Sequence, residues 1–293
     1  MYSDNKLVLH LISLMKQFSI RKVVISPGSR HYSLVHSLEA DNYFQLYSVV
    51  DERSAAFFAL GLIQESGEPV AVTCSSGTAC INYGSAVVEA FYQKLPLLVL
   101  SGDRIPQLLN QLEDQMYSQL DSFVNCTKYI GELMPISTEL DEWYCNRVIN
   151  EALIELTHHG RGPVQLNIPF TSHHLDSFSI KTLPLVRKIT LMKLDSDENE
   201  WSYVANIIKN KKVLIVWGQS VPISAELIDS VTMFCEKFDA TVITDMISGF
   251  DNQYVIKNGI MTLRAAINFK KEIIAPDVVI SVGGNYIFNG EMK

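Results

Sequence analysis

At 293 residues the chain is long enough for about two domains of roughly 150 residues, and a hydrophobic content of 47% can fill two cores, which argues against disorder. A formal net charge of -8, with no basic run longer than the short patch from Lys209 to Lys212, argues against a nucleic-acid binder. Five cysteines without CxxC spacing fit reduced, packed thiols in a cytoplasmic protein, and the chain shows neither a secretory signal nor the roughly 18 uninterrupted apolar residues of a membrane span.

Leu7, Leu11, Ile12 and Leu14 recur at helical spacing and predict a helix over 4–18, followed by a strand over 21–25. A helix over 31–40, a strand over 44–50, a helix over 53–65 and a strand over 69–73 come next. Then come a helix over 78–93, a strand over 96–101, a helix near 142–158 and a strand over 164–168. This is the βαβ rhythm of a parallel sheet covered on both faces, and the nearly continuous Val, Ile and Leu of several strands fits double-sided burial. A polar, proline-bearing stretch over 171–198 reads as an interdomain connection. Beyond it lie a helix near 198–210, a strand over 213–217, a helix over 223–238 and strands over 240–244 and 277–282. The expected fold class is therefore α/β, two doubly wound parallel-sheet domains spanning 1–180 and 185–293.

Four strand ends in the first domain carry chemistry. Ser26-Pro27-Gly28-Ser29-Arg30 follows the first strand and Asp51-Glu52-Arg53 the second. Ser75-Ser76-Gly77-Thr78 follows the third and Ser101-Gly102-Asp103-Arg104 the fourth. Open α/β sheets bind ligands outside the carboxyl ends of their strands, so these turns form a rim. Each has a plainer reading as well. Glu52 fits the first turn of a helix, favoured by the macrodipole. Ser76 or Thr78 fits a helix cap, and Arg30 and Arg104 fit surface salt bridges. In the second domain, the turns at Val216–Ser220 and Ser281–Asn285 lack the GxGxxG pattern and read as structural glycine turns. The pairs His158-His159 and His173-His174 lack an i, i+4 partner, and their side chains are expected to diverge, which argues against a metal.

In order, SPGSR, VDERSAAFFALGL, TCSSGTACIN, SGDRIPQLL and LEDQM closely resemble the SEPHCHC synthases, thiamine-diphosphate-dependent enzymes of menaquinone biosynthesis that join 2-oxoglutarate to isochorismate. The resemblance covers the first half motif by motif and continues more loosely from Val213 to Gly284. It implies a pyrimidine-binding domain over 1–180 and a Rossmann-like central domain over 185–293. It also implies that Glu52 is the activating carboxylate on the cofactor's pyrimidine and that Ser76, Gly77, Thr78 and Asn82 line the pyrimidine site. Ser29 and Arg30 are implied to hold a substrate carboxylate, with Arg104 and Gln115 on the isochorismate side. The chain departs from the family where Asp114 replaces the usual Asn and Ser118 a common basic residue. No GDG motif for the magnesium ion and diphosphate occurs, so those ligands are expected from a further domain and the fragment alone is expected to be inactive. A homodimer or homotetramer is implied. Alternatives are another thiamine-dependent decarboxylase or acetolactate-type ligase, and a non-catalytic binding or assembly module.

Overall fold

The computed structural model describes all residues except 172–175, 193–195, 221, 245, 257–258, 260, 263–264, 266–274 and 286–293, so His173 and His174 lie outside the described residues. The chain divides into two units, 1–191 and 192–293.

The first unit runs α1 (Lys6–Gln17), β1 (Lys22–Ile25), α2 (Tyr32–Glu39), β2 (Gln45–Ser48), α3 (Glu52–Ser66), β3 (Val70–Cys74), α4 (Thr78–Asn82), α5 (Gly84–Gln93), β4 (Leu97–Asp103), β5 (Tyr129–Glu132), α6 (Glu139–Glu155) and β6 (Val164–Pro169). Its six strands are all parallel, in the order β2-β1-β3-β4-β6-β5. Every residue of β3, β4 and β6 is buried. The reason is that one apolar layer, built on α1, α2 and α6, covers one face, and a second, built on α3 and α5, covers the other. The α/β expectation therefore holds.

Local chemistry sets the helix ends. The Asp51 side chain caps α3 by accepting the Ser54 N–H at 2.8 Å, and Gly67, at φ +69°, closes it in the left-handed conformation that glycine tolerates. Helix α6 starts at Glu139, earlier than expected, because Thr138 and Asp141 form a capping box. The helix expected over 78–93 is interrupted at the buried Tyr83 and becomes α4 and α5. Strand β5 was not expected at all. It is short, with only Gly131 fully buried, and a Cβ there would come within 2.7 Å of Leu166 Cδ2 and Val148 Cγ1.

The second unit contains α7 (Glu198–Ile208), β7 (Val213–Trp217), α8 (Ala225–Phe238), β8 (Thr241–Thr244), β9 (Val255–Ile256) and β10 (Val278–Val282), with a parallel sheet ordered β10-β7-β8-β9. Its glycine turns are tied to each other: Gly218 N–H donates to Val282 O at 2.9 Å and Gly284 N–H to Gln219 O at 2.8 Å. Gly283, at φ +76°, leaves no room for a Cβ, which would sit 2.5 Å from Gln219 O. That supports the structural reading of these turns.

Much of the polar connection packs onto the first unit. Ile180 pairs with Tyr2, Ser13 Oγ donates to Pro184 O at 2.9 Å, and the fully buried Asn150 accepts Ile189 N–H at 2.7 Å while donating to Arg187 O at 3.0 Å. One α6 side chain thus satisfies two backbone groups of a segment that has no ladder of its own. Arg187 O also accepts from Asn146 Nδ2 at 3.0 Å, so Asn150→Ala is expected to cost about 1–3 kcal/mol in urea unfolding by stranding the Ile189 N–H, and to speed proteolysis between Pro184 and Leu191; an unchanged midpoint and cleavage rate would show that this segment is held elsewhere.

Candidate active site

The winding direction of the first sheet reverses between β1 and β3: β2 pairs on one side of β1 and β3 on the other. The loops after β1 and β3 therefore flank the crevice where such sheets take ligands. They touch closely. Ser26 N–H donates to Thr73 O at 2.9 Å, Arg30 N–H reaches Ser75 Oγ at 3.4 Å, and a Cβ on Gly28 would overlap Ser75 Cβ at 2.5 Å.

Arg30 and Arg104 are 7% and 9% exposed, so neither is a surface salt-bridge residue. Arg104 is occupied by the chain's own acids: it pairs with Glu113 Oε2 at 3.1 Å, pairs with the Asp114 carboxylate and donates through Nε to Asp114 O at 3.1 Å. Arg30 has no such partner. Its Nε is buried without a hydrogen bond, and no described residue ion-pairs with it. Burial, then the neighbouring Arg104 charge, lower its pKa, with Asp114, Glu113 and Asp103 opposing. A guanidinium held dry beside a second one is a site for an anion that can grip the planar fork.

Glu52 is the first residue of α3 and is half-buried. The capping duty that first-turn acids often perform falls to Asp51, and among the described residues none hydrogen-bonds the Glu52 carboxylate. It lies near the same strand ends. Burial first, and the Glu52 charge as a smaller contribution, push the Tyr83 phenol and the Cys74 thiol well above their ordinary ranges. Tyr83 in turn hydrogen-bonds Ser26 at 3.1 Å.

The turn after β3 has Gly77 at φ +76° and ψ -131°, a conformation open only to glycine. A Cβ there would sit 2.6 Å from Gln115 O, so the backbone of Gln115, itself at φ +49°, rests directly on this turn. Ser76 and Gly77 are buried, whereas Thr78, Asn82, Ser29 and Gln115 are exposed. The capping reading of Ser76 and Thr78 fails: Gly77 holds the cap position and no side chain caps α4. The structure therefore gathers Arg30, Arg104, Gly77 and the Gln115 backbone at one place, with Glu52 at the neighbouring strand end.

Sequence reasoning missed His31, Gln119 and Asn167 here, and placed Asp103 on the rim without giving it a role. His31 is fully buried against Gly28 and Gly102, with neither ring nitrogen hydrogen-bonded. Gln119, Asn167 and Asp103 form a buried polar network beneath the Gly77 turn. A signal was present in Val164-Gln165-Leu166-Asn167-Ile168, where two amides alternate through a strand buried on both faces.

Elsewhere, a cavity of about 910 Å³ in the second unit is lined by Lys209, Lys211, Lys212 and Lys237, all exposed, and among the described residues none of its polar lining side chains is buried. His158 and His159 do not diverge as expected but stack at 3.7 Å, with His158 Nδ1 bound to Glu155 at 2.7 Å. Among the described residues no group of three or more His, Cys, Asp or Glu could hold a metal, and no helix is long and apolar enough to cross a membrane.

A parallel α/β unit whose residues 6–122 match the family described as thiamine pyrophosphate enzyme, N-terminal TPP binding domain, defines the class. The chain is 39% identical to a 2-succinyl-5-enolpyruvyl-6-hydroxy-3-cyclohexene-1-carboxylate synthase of Phocaeicola vulgatus over 98% of its own length and 52% of that protein. It is 44% identical to the synthase of Bacteroides thetaiotaomicron over 75% of the chain and 40% of that protein, and 36% identical to that of Porphyromonas gingivalis over 98% and 50%. The chain belongs to this SEPHCHC synthase family and spans about half the length of the curated relatives it matches.

His31 gives the site a pH signature. Burial lowers its pKa from 6.5 to about 4, so between those values the unfolded chain binds a proton that the folded one refuses, and stability falls as pH drops. The total is on the order of 3 kcal/mol. His31→Leu is expected to flatten the slope of unfolding free energy against pH between 6.5 and 4; an unchanged slope would show that His31 is not held neutral.

Proposed function

We propose that this chain supplies the pyrimidine-binding half of a thiamine-diphosphate-dependent enzyme that decarboxylates 2-oxoglutarate and joins the remainder to isochorismate. The observation that carries the reading is Arg30, whose Nε is buried without a hydrogen bond and with which no described residue ion-pairs, beside Arg104 in the switch-point crevice. Both substrates are dicarboxylates, and a bidentate carboxylate is the partner this geometry lacks. An acetolactate-type ligase would have less need of it.

Thiamine diphosphate, when bound, would supply an acidic thiazolium carbon able to act as nucleophile and electron sink in the decarboxylation of a 2-oxo acid. Glu52, spared from capping, is assigned the hydrogen bond to the pyrimidine N1′, where a carboxylate shielded from water favours proton retention on the ring. The buried Ser76 and Gly77 are assigned the wall of the pyrimidine site, with the exposed Thr78 and Asn82 at its edge. Ser29 and Arg30 are assigned a substrate carboxylate. Arg104 is assigned a second by exchanging Asp114 and Glu113 for the ligand, with Gln115 alongside. Magnesium and the diphosphate are assigned to the family's diphosphate-binding domain.

A homodimer or homotetramer is part of the proposal. The outer surfaces of α3, α4 and α5, next to Glu52, expose Phe57, Phe58, Ile81, Val88 and Phe91, an apolar face suited to burial by a neighbouring subunit. A cytoplasmic setting agrees with five unpaired cysteines.

Steady-state kinetics of the full-length enzyme test the assignment. Glu52→Gln is expected to reduce turnover by roughly 10²–10⁴ while leaving the fold intact. Arg30→Met is expected to raise the KM for a dicarboxylate substrate by about 10- to 150-fold, the equivalent of a charged hydrogen bond. Near-normal turnover by Glu52→Gln would remove the activating role, and an unchanged KM in Arg30→Met would remove the anion site.

A further inference from the structure

The buried amides beneath the Gly77 turn form a chain with one direction. The Asp103 carboxylate, 6% exposed, accepts Arg104 N–H at 2.7 Å on one oxygen and Asn167 Nδ2 at 2.7 Å on the other. Because that carboxylate only accepts, the Asn167 amide must point its nitrogen at it and its oxygen away. Asn167 Oδ1 then accepts from Ser101 Oγ at 2.9 Å and from Gln119 Nε2 at 2.8 Å. Gln119 Nε2 has its second hydrogen directed at Gly102 O, 3.3 Å away. Both its donors are committed, so its Oε1 can only accept, and it accepts Gly77 N–H at 2.6 Å. Gln119 is 1% exposed, and its own carbonyl accepts from Gln165 Nε2 at 3.3 Å.

Gly77 is thus held from two sides, by the Gln115 backbone against its Cα and by the Gln119 amide on its N–H. A turn in a glycine-only conformation has no local preference strong enough to fix it. We propose that Gln119 is a positioning residue, which transmits the acceptor polarity of Asp103 through Asn167 to the Gly77 amide and so fixes the turn that receives the cofactor's pyrimidine. The proposal rests on the reading of that turn as the cofactor site. Gln119 makes no bond to Arg30 or Arg104, so its effect falls on cofactor binding rather than on the anion pocket.

The test uses the full-length enzyme, with thiamine diphosphate titrated in the presence of magnesium by activity and by calorimetry. Gln119→Met, similar in shape but without hydrogen bonds, is expected to raise the half-saturating thiamine diphosphate concentration about tenfold, the upper range for one neutral hydrogen bond. The KM for 2-oxoglutarate should stay within about twofold, a split that general unfolding would not produce. Gln119→Glu keeps an acceptor toward Gly77 but sets a carboxylate oxygen against Asn167 Oδ1 and Gly102 O. It is expected to weaken the cofactor at least as much, and it carries the test if the Met variant does not fold. Native half-saturation in either folded variant, or equal losses in cofactor and substrate affinity, would overturn the proposal. Failure of the native full-length enzyme to bind thiamine diphosphate would instead remove the cofactor reading, and the inference with it.

Discussion

The reversal of winding between β1 and β3 is the constraint from which the candidate site follows. Parallel crossovers are right-handed, so moving from β1 to β2 on one side and back to β3 on the other sends the intervening helices to opposite faces. Helix α2 accordingly joins the apolar layer of α1 and α6, while α3 and α5 build the other. The loops leaving β1 and β3 meet above the sheet at that point, over the carboxyl ends of both strands. Arg30 from one loop and Gly77 from the other come together there because the two strands are hydrogen-bonded neighbours.

That setting lets the fold hold charges that it would not tolerate elsewhere. A buried cation without an anion is costly, and the chain limits the cost rather than removing it. Asp103 lies beneath both arginines, its own pKa raised by burial and moderated by Asn167 and the two cations. His31, packed alongside, stays neutral and adds no third positive charge. Arg104 takes Asp114, the residue that stands where the family usually has Asn. This departure, an anomaly as sequence, has a physical effect: a tethered carboxylate satisfies one guanidinium while the other stays open. On the proposed reading, a ligand must compete with Asp114 for Arg104 but not for Arg30.

The long elements and the rim were legible in the sequence because each depends on local rules. Apolar spacing gave α1 and α3, and unbroken Val and Leu runs gave β3 and β4, since burial on both faces leaves no other composition. The break at Tyr83 and strand β5 were not legible. Tyr83 ends α4 through burial of its ring and a hydrogen bond to Ser26, 57 positions away. Strand β5 is specified by its fit against β6 and α6, not by its own residues. For the site, Glu52, Arg30 and Gly77 stood out because each follows a strand. Gln119 and Asn167 did not, since an amide's importance lies in what it reaches, and here those contacts span 42 and 48 residues.

The apolar face of α3 to α5 bears on how Glu52 functions. Ala55, Ala56 and Ala59 already seal α3 against the sheet, so Phe57 and Phe58 are not needed for this unit's core. A helix serving only as a lid would direct polar groups outward. These aromatics instead lie exposed on the helix that begins with Glu52, an acid that is half-buried and, among the described residues, without a hydrogen bond of its own. Covering the face with a second body would finish the burial of Glu52 and shield from water the hydrogen bond that the proposal gives it with the pyrimidine nitrogen. On that reading the acid and the ring nitrogen meet in a setting that this unit alone does not complete, so the apolar contacts proposed to join subunits would also finish the site around Glu52.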